Sequence, residues 1–270
     1  MKLNIMAIGA HPDDCDFLFG GTALKLKAQG HRVLFLSVTN GCSGHQLEPG
    51  AGLASRRLGE AEAVSKMTGI EYKILDIPDG SLTAELRYRD MLIREIRLYE
   101  PDLIFSHRPY DYHPDHRSTG TLVMDCSYLM RVPNIVPDVP ILKKTPHIFY
   151  MYDHFTLPCP FNPDVAVCID EVMDKKTAML DCHVSQVYEF LPWIGDYTKE
   201  IPQEREDRCQ WLKTYIRRGF HPPVSGKYRE LLESRYGSGK SGEIKDCEAF
   251  QLSEYGAQAE QDELVKFFPL

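Results

Sequence analysis

The feature that most constrains this chain is an alternation in its first half. Four short apolar runs, Asn4 to Gly9, Arg32 to Val38, Tyr72 to Ile77 and Asp102 to Ser106, are separated by segments of helical pattern. Runs this short, bounded by Gly, Pro, Asn and Asp, read as buried strands. Thr22, after Gly20-Gly21, is read as the N-cap of a helix that runs through Leu24, Leu26 and Ala28 and stops at Gly30. Ser55 to Met67 is a second helix with Gly69 as its C-cap, and Thr83 to Tyr99 a third, stopped by Pro101. A fourth runs from Arg117 to about Met130. Strands alternating with helices imply an α/β fold with a mostly parallel, doubly wound sheet and helices on both faces. Ligands of such sheets bind beyond the carboxyl ends of the strands, where the strand order switches.

The second half is less regular. Pro133 to Pro146 reads as a loop, Ile148 to Tyr152 and Val165 to Ile169 as short strands, and the Pro-rich Leu157 to Pro163 as a wall or lid of the crevice. Asp170 caps a helix through Asp181; Arg205 to Arg218 and Lys227 to Tyr236 are further helices; Ser238 to Gly242 is a flexible loop; Cys247 to Leu252 is a late edge strand. No repeat or linker divides the chain. It is read as one domain over 1–270, with a core over 1–131 and, over 132–270, the rest of the sheet, pocket loops and C-terminal helices.

Composition then narrows the function. Hydrophobic residues make up 43% and charged residues 26% of the 270, as in an ordinary globular protein. A net charge of -8 argues against nucleic acid or an anionic membrane as partner. No apolar run approaches the roughly 20 residues that span a bilayer, and the run at Ile5 is too short for a signal peptide. The eight cysteines are scattered without a C-x-x-C pair, which disfavours zinc ribbons and redox motifs. Reduced, mostly buried thiols in a cytoplasmic protein are expected.

Two strand ends carry the chemistry. Ala10-His11-Pro12-Asp13-Asp14 follows the first strand, and His113-Pro114-Asp115-His116 lies in the loop after the fourth. Singly, each is ordinary turn chemistry. Together they place imidazoles and carboxylates where one crevice is expected. A catalytic metal site uses three protein ligands and keeps a position open. His11 and Asp14 can converge as the chain leaves its strand, and His116 can supply the third ligand. These ligand types suit Zn²⁺, and also Fe²⁺ or Mn²⁺. Asp13 can stand beside the attacking water as general base. His113, as an imidazolium, can hold the oxyanion of an attacked amide, protonate the departing amine, or both, with Asp115 or Asp111 on its other ring nitrogen. The reading is a metal-dependent amide hydrolase. A dinucleotide-binding protein is set aside, since no G-x-G-x-x-G follows the first strand.

At these residues the chain resembles the LmbE-like, or PIG-L, zinc-dependent N-acetylglucosaminyl deacetylases. The likeness is carried by Ala10-His11-Pro12-Asp13-Asp14, Gly20-Gly21-Thr22, Arg57-Leu58-Gly59-Glu60, Pro78-Asp79-Gly80, His113-Pro114-Asp115-His116, His183-Val184-Ser185-Gln186 and Glu248-Ala249-Phe250, and so extends over essentially the whole sequence. It implies a Rossmann-like fold, zinc on His11, Asp14 and His116, Asp13 as general base, and His113 as the oxyanion-stabilising acid supported by Asp115. It departs from the family at Asp16, where a Glu is usual, which puts in doubt any role that depends on that side chain's reach.

The activity expected is removal of an N-acetyl group from an N-acetylglucosamine-type sugar or its conjugate, releasing acetate and a free amine. The alternatives are hydrolysis of another small N-acyl amide, or a metal-bound carbohydrate-binding protein without turnover. The partner is a small amino sugar, and homo-oligomerisation is left open. Arg57, Asp79, Asp111 and His183 are candidates for substrate contact. Each has a plainer alternative: for Arg57 a solvated helix face or a pair with Glu60, for Asp79 a turn, for His183 a cap at a helix end. Tyr152, Asp153 and His154 leave a strand and are as readily a plain loop as part of the crevice. No partner can be argued for His31, His45, His107, His147 or His221.

Overall fold

The computed structural model describes residues 2–270. Seven strands form one sheet: β1 (Asn4–Gly9), β2 (Arg32–Ser37), β3 (Glu71–Ile74), β4 (Leu103–Ser106), β5 (His147–Met151), β6 (Val165–Cys168) and β7 (Cys247–Leu252). Their spatial order is β3-β2-β1-β4-β5-β7-β6. The first five pair in parallel, and β7 lies antiparallel between β5 and β6. The chain steps outward from β1 through β2 to β3, then returns to place β4 on the other side of β1. That reversal opens a crevice between the carboxyl ends of β1 and β4.

Side chains alternate across the sheet, as the two-residue period of a strand requires. Ile5, Ala7, Phe35 and Phe105 face one core, shared with α1 (Asp14–Ala28), α2 (Ala51–Thr68) and, later in the chain, α5 (Met173–Asp181). Met6, Ile8, Leu36 and Ile104 face the other, covered by α3 (Leu86–Tyr99) and α4 (Pro114–Leu129). Helices thus cover both faces, as the sequence pattern implies. After α5 come a π-helical turn, Ser185–Phe190, and the short α6 (Leu191–Ile194). Then follow α7 (Arg205–Gly219) and α8 (Gly226–Tyr236).

Several expected boundaries are corrected. Thr22 is not a cap: α1 begins at Asp14 and carries Gly20 and Gly21 in its middle. These glycines serve packing. A Cβ on Gly20 would come within 2.8 Å of Met179, and one on Gly21 within 2.8 Å of Ile169. Similarly, α4 begins at Pro114, inside the His-Pro-Asp-His segment, because proline suits the first helical turn. Cys247–Leu252 is an inner strand rather than an edge, with Glu248, Ala249 and Phe250 buried. Ser238–Ser241 forms a helical turn where a flexible loop was expected. The π-helical turn had no distinct signal in the sequence. The thiols are free as expected but less buried: Cys15, Cys126 and Cys247 are buried, and Cys159 is exposed. No helix among the described residues is long and apolar enough to cross a membrane.

In mid-α1 a buried ion pair meets the helix backbone. Glu248 of β7 accepts from the amides of Gly21 (2.8 Å) and Thr22 (2.7 Å). Lys176 of α5 donates to Glu248 (2.7 Å) and to the Phe17 carbonyl (2.7 Å), and its Nζ lies 2.9 Å from His221 Nε2. Lys176 and Glu248 are inaccessible to solvent or nearly so. Burial, and then the ammonium of Lys176, lower the pKa of His221, so its Nε2 is an acceptor. All three ammonium protons therefore have partners.

Candidate metal centre

The crevice holds the two clusters together. His11 is fixed locally: its backbone N–H donates to Asp14 Oδ2 at 2.7 Å, closing the turn between β1 and α1. The Ala10 carbonyl accepts from Thr39 Oγ1 and Ser37 Oγ, which ties this turn to the end of β2. His116 sits in the first turn of α4 and reaches back across the β1–β4 gap. His11 Nδ1 lies 3.2 Å from His116 Nε2 and 3.5 Å from Asp14 Oδ2, and His116 Nε2 lies 3.3 Å from Asp14 Oδ1. A tetrahedral ion with ligands at about 2.0–2.1 Å has edges of about 3.3–3.4 Å. The two imidazole nitrogens stand at that spacing from each other, with one Asp14 oxygen close to each, so the residues present fit a metal of this kind.

The surrounding charge fits as well. Burial raises the pKa of Asp14, but His116 and His107 outweigh it and hold the carboxyl well below its usual range. Burial works against a proton on His116, yet Asp14 and Asp111 raise its pKa to about 9. His11 is likewise raised, by Asp115, Asp14 and Asp79 against burial. A pocket that draws protons onto two buried imidazoles is a pocket that favours a cation, and a metal would displace those protons. Other His and Asp groupings within coordinating distance of one another, His11-His113-His116, Asp14-His107-His116 and His11-Asp79-Asp115, share the same small volume.

Carboxylates brace the far side of each imidazole. His11 Nε2 lies 3.3 Å from Asp79 and 3.4 Å from Asp115, and His116 Nδ1 lies 3.0 Å from Asp111. Such partners fix ring orientation and ligand basicity. Asp79 and Asp111 line the cleft, each with one carboxylate oxygen facing an imidazole. One expectation is corrected. Asp115 does not support His113: its carboxylate takes the amides of Gly80 (2.7 Å) and Leu82 (3.3 Å) and faces His11. The His113 ring is oriented by a backbone group instead. Its Nδ1 accepts from the Asp115 amide at 3.2 Å, so a proton on the neutral ring sits at Nε2. Burial, then His11 and His116, lower its pKa, which favours the neutral ring with its N–H at Nε2 over the expected imidazolium.

Arg57 is not the exposed helix residue that the sequence allowed, nor does it pair with Glu60. It is 2% exposed, and its guanidinium lies 3.1 Å from Asp13 Oδ1 while donating to the carbonyls of Pro12 and Gly41, each at 3.3 Å. Glu60 instead accepts from the amide and hydroxyl of Ser185. Burial pushes the Asp13 carboxyl up, against the pull of Arg57. Gly41 is required twice here: its φ is +68°, and a Cβ would come within 2.5 Å of Arg57 Nη1. Gly41→Ala should therefore shift Arg57 off Asp13 and destabilise the protein by about 1–3 kcal/mol, combining positive-φ strain with overpacking. Urea denaturation of the purified variant checks this; an unchanged midpoint would show that the loop yields freely.

His183 is corrected too. It is fully buried and absent from the cleft wall; its Nε2 lies 3.2 Å from Asp16 Oδ1, and Asp16 Oδ2 accepts from Tyr72 at 2.8 Å. The short Asp16 side chain thus reaches inward to a buried triad behind Asp13. Burial opposes a proton on His183, but Asp16 and Asp13 raise its pKa overall. His107, for which no partner was apparent, stacks on His116 at 4.1 Å and lies 3.1 Å from Asp14 Oδ2. Its one sequence signal is its place directly after β4. Arg108 beside it grips Asp153 with two contacts of 2.6 Å and the Phe155 carbonyl at 3.0 Å, which holds the loop after β5 against the cleft. Tyr152, Asp153 and His154 do line the cleft, whose volume is about 350 Å³.

Comparison with known proteins places the chain among relatives. Residues 6–127 match the PIG-L family model, described as GlcNAc-PI de-N-acetylase. Diacetylchitobiose deacetylase of Thermococcus kodakarensis is 30% identical over 67% of this chain and 69% of its own length. The fold matches N,N'-diacetylchitobiose deacetylase from Pyrococcus horikoshii with a TM-score of 0.68 at 23% identity, over 93% of this chain and 84% of that one. It also matches GalB, the 4-carboxy-2-hydroxymuconate hydratase of Pseudomonas putida KT2440, with a TM-score of 0.71 at 22% identity, over 96% and 99%. By the shared sequence and by the sheet that joins its two His/Asp clusters, the chain belongs to the PIG-L, or LmbE-like, family.

Proposed function

We propose that the protein is a metal-dependent hydrolase that removes the N-acetyl group from an N-acetylglucosamine-type amino sugar or its conjugate. The observation that carries this reading is the convergence of His11, Asp14 and His116 donor atoms with Asp13 alongside, clamped through one carboxylate oxygen by Arg57. The Thermococcus relative is a deacetylase of an N-acetylated sugar. His11, Asp14 and His116 would hold the ion, with Zn²⁺ favoured by their type and spacing and Fe²⁺ or Mn²⁺ compatible with them. When bound, it supplies Lewis-acid polarisation of the acetamide carbonyl and lowers the pKa of water.

The chain's own groups do the proton work. Asp13 Oδ1 is held by Arg57, which leaves Oδ2 to take a proton from the attacking water. The raised pKa of Asp13 makes it a stronger base than an exposed carboxylate. His113 Nε2–H is aligned by the Asp115 amide to donate to the oxyanion. Asp13, protonated by that water, then delivers the proton to the departing amine, while His113 keeps its Nε2–H on the oxyanion. Asp115, Asp79 and Asp111 act by keeping His11 and His116 in place.

The test begins with metal content. Protein purified without added metal, or loaded by titration, should bind about one Zn²⁺ or Fe²⁺ per chain. It should release acetate from N-acetylglucosamine conjugates, lose that activity to a chelator and regain it with metal. Absence of any metal uptake would defeat the reading. Metal uptake without acetate release, together with water addition to an unsaturated tricarboxylate, would place it with the hydratase relative instead.

A further inference from the structure

The walls of the cleft narrow the substrate, an inference that rests on the function proposed above. Among the described residues lining it, Asp13, Asp14, Asp79, Asp111 and Asp153 carry carboxylates, and Arg57 is the one Arg or Lys. That guanidinium is buried against Asp13 and two backbone carbonyls, and its one unpartnered atom, Nε, is buried with it. Two neighbouring arginines are engaged as well. Arg108 holds Asp153, and Arg56 pairs with Glu189 at 2.6 Å and Glu48 at 3.1 Å. A phosphate or carboxylate on the substrate would therefore meet carboxylates and find no free guanidinium or ammonium among the lining residues. Recognition of such anions ordinarily uses arginine or lysine.

The remaining wall is aromatic and aliphatic. Phe17 lies one turn beyond Asp13 on α1 and stacks on Phe220, ring centroids 4.0 Å apart and planes 19° from parallel. Phe190 and Leu191, from the π-helical turn and α6, line the same cleft. Tyr112, whose ring lies 5.5 Å from that of His116, sits 6.3 Å from Phe155. Apolar surface thus begins immediately beside the ligand cluster and continues outward from it. Rings of this kind cover the faces of sugars and of aryl groups with little conformational cost.

We infer that the substrate is an uncharged N-acetylated amino sugar bearing an apolar, preferably aryl, substituent, and that anionic conjugates are poor substrates. The test uses the metal-loaded enzyme with three probes: 4-nitrophenyl N-acetyl-glucosaminide, free N-acetylglucosamine and N-acetylglucosamine 1-phosphate. Acetate release is followed for each. The aryl conjugate should show kcat/KM about tenfold above the free sugar, from the apolar area it buries, and the phosphate should fall below the free sugar. Phe220→Ala should shrink the aryl advantage to about threefold or less, read as a ratio so that a general loss of activity cancels. Should that variant fold poorly, His154→Lys on the exposed rim provides an independent measurement: it should raise kcat/KM for the phosphate several-fold. A phosphate conjugate used as well as the aryl one, or ratios unmoved in both variants, would overturn the inference. Acetate release from none of the three would count against the deacetylase reading itself.

Discussion

Asp13→Asn should lower kcat by about 10²- to 10⁴-fold while leaving one metal bound per chain. The substitution keeps a carbonyl oxygen where Arg57 can still donate to it, so the fold around the guanidinium is retained. It removes the one group placed to accept a proton beside the three ligand atoms. The neighbouring carboxylates cannot substitute, because Asp79, Asp111 and Asp115 face the imidazoles and Asp14 belongs to the ligand set. KM should change little, since Asp13 acts mainly in the transition state. The measurements are steady-state acetate release and elemental analysis of the same preparation. Turnover within tenfold of wild type would mean that water is deprotonated elsewhere. Loss of metal with loss of turnover would recast Asp13 as a ligand.

The second large effect lies away from the cleft. Lys176→Met should destabilise the protein by about 3–5 kcal/mol, the cost typical of leaving one partner of a buried ion pair without the other. Methionine fills a similar volume, so a cavity contributes little. What is lost is electrostatic: Glu248 keeps two backbone amides but loses its counter-charge, and the Phe17 carbonyl loses its donor. The double variant Lys176→Met, Glu248→Gln should be less destabilised than the sum of the two single variants, since the charge is then absent. Urea midpoints for the four proteins decide this; strictly additive losses would mean that the two side chains do not act as a pair.

Much of this architecture is legible in the sequence because strand and helix periods are local. The βαβα alternation yields the parallel sheet, and the two His/Asp clusters read as strand-end groups of one crevice. Element ends are less legible. Gly20 and Gly21 look like a break before a helix, yet their demand comes from Met179 and Ile169, far along the chain. Partners of charged groups fail for the same reason. Arg57 appears to be a surface residue until Asp13 folds over it, and His183 a pocket residue until Asp16 is seen to reach it. Sequence spacing shows which residues can ligate together; it does not show which carboxylate stands behind which imidazole. Asp79, Asp111 and Asp115 were all named from the sequence, but their assignments to His11 and His116 depend on loops from three different strands.

The contact between Glu248 and the middle of α1 also bears on when the centre can be assembled. The chain is synthesised from its N-terminus, so His11 and Asp14 leave the ribosome more than two hundred residues before Glu248. Until β7 arrives, Lys176 has no buried counter-charge and the Gly21 and Thr22 amides lack the acceptor that they have in the finished fold. The last polar fastening of the helix that begins at Asp14 therefore waits for β7, so one end of the proposed centre is completed by a strand far along the chain.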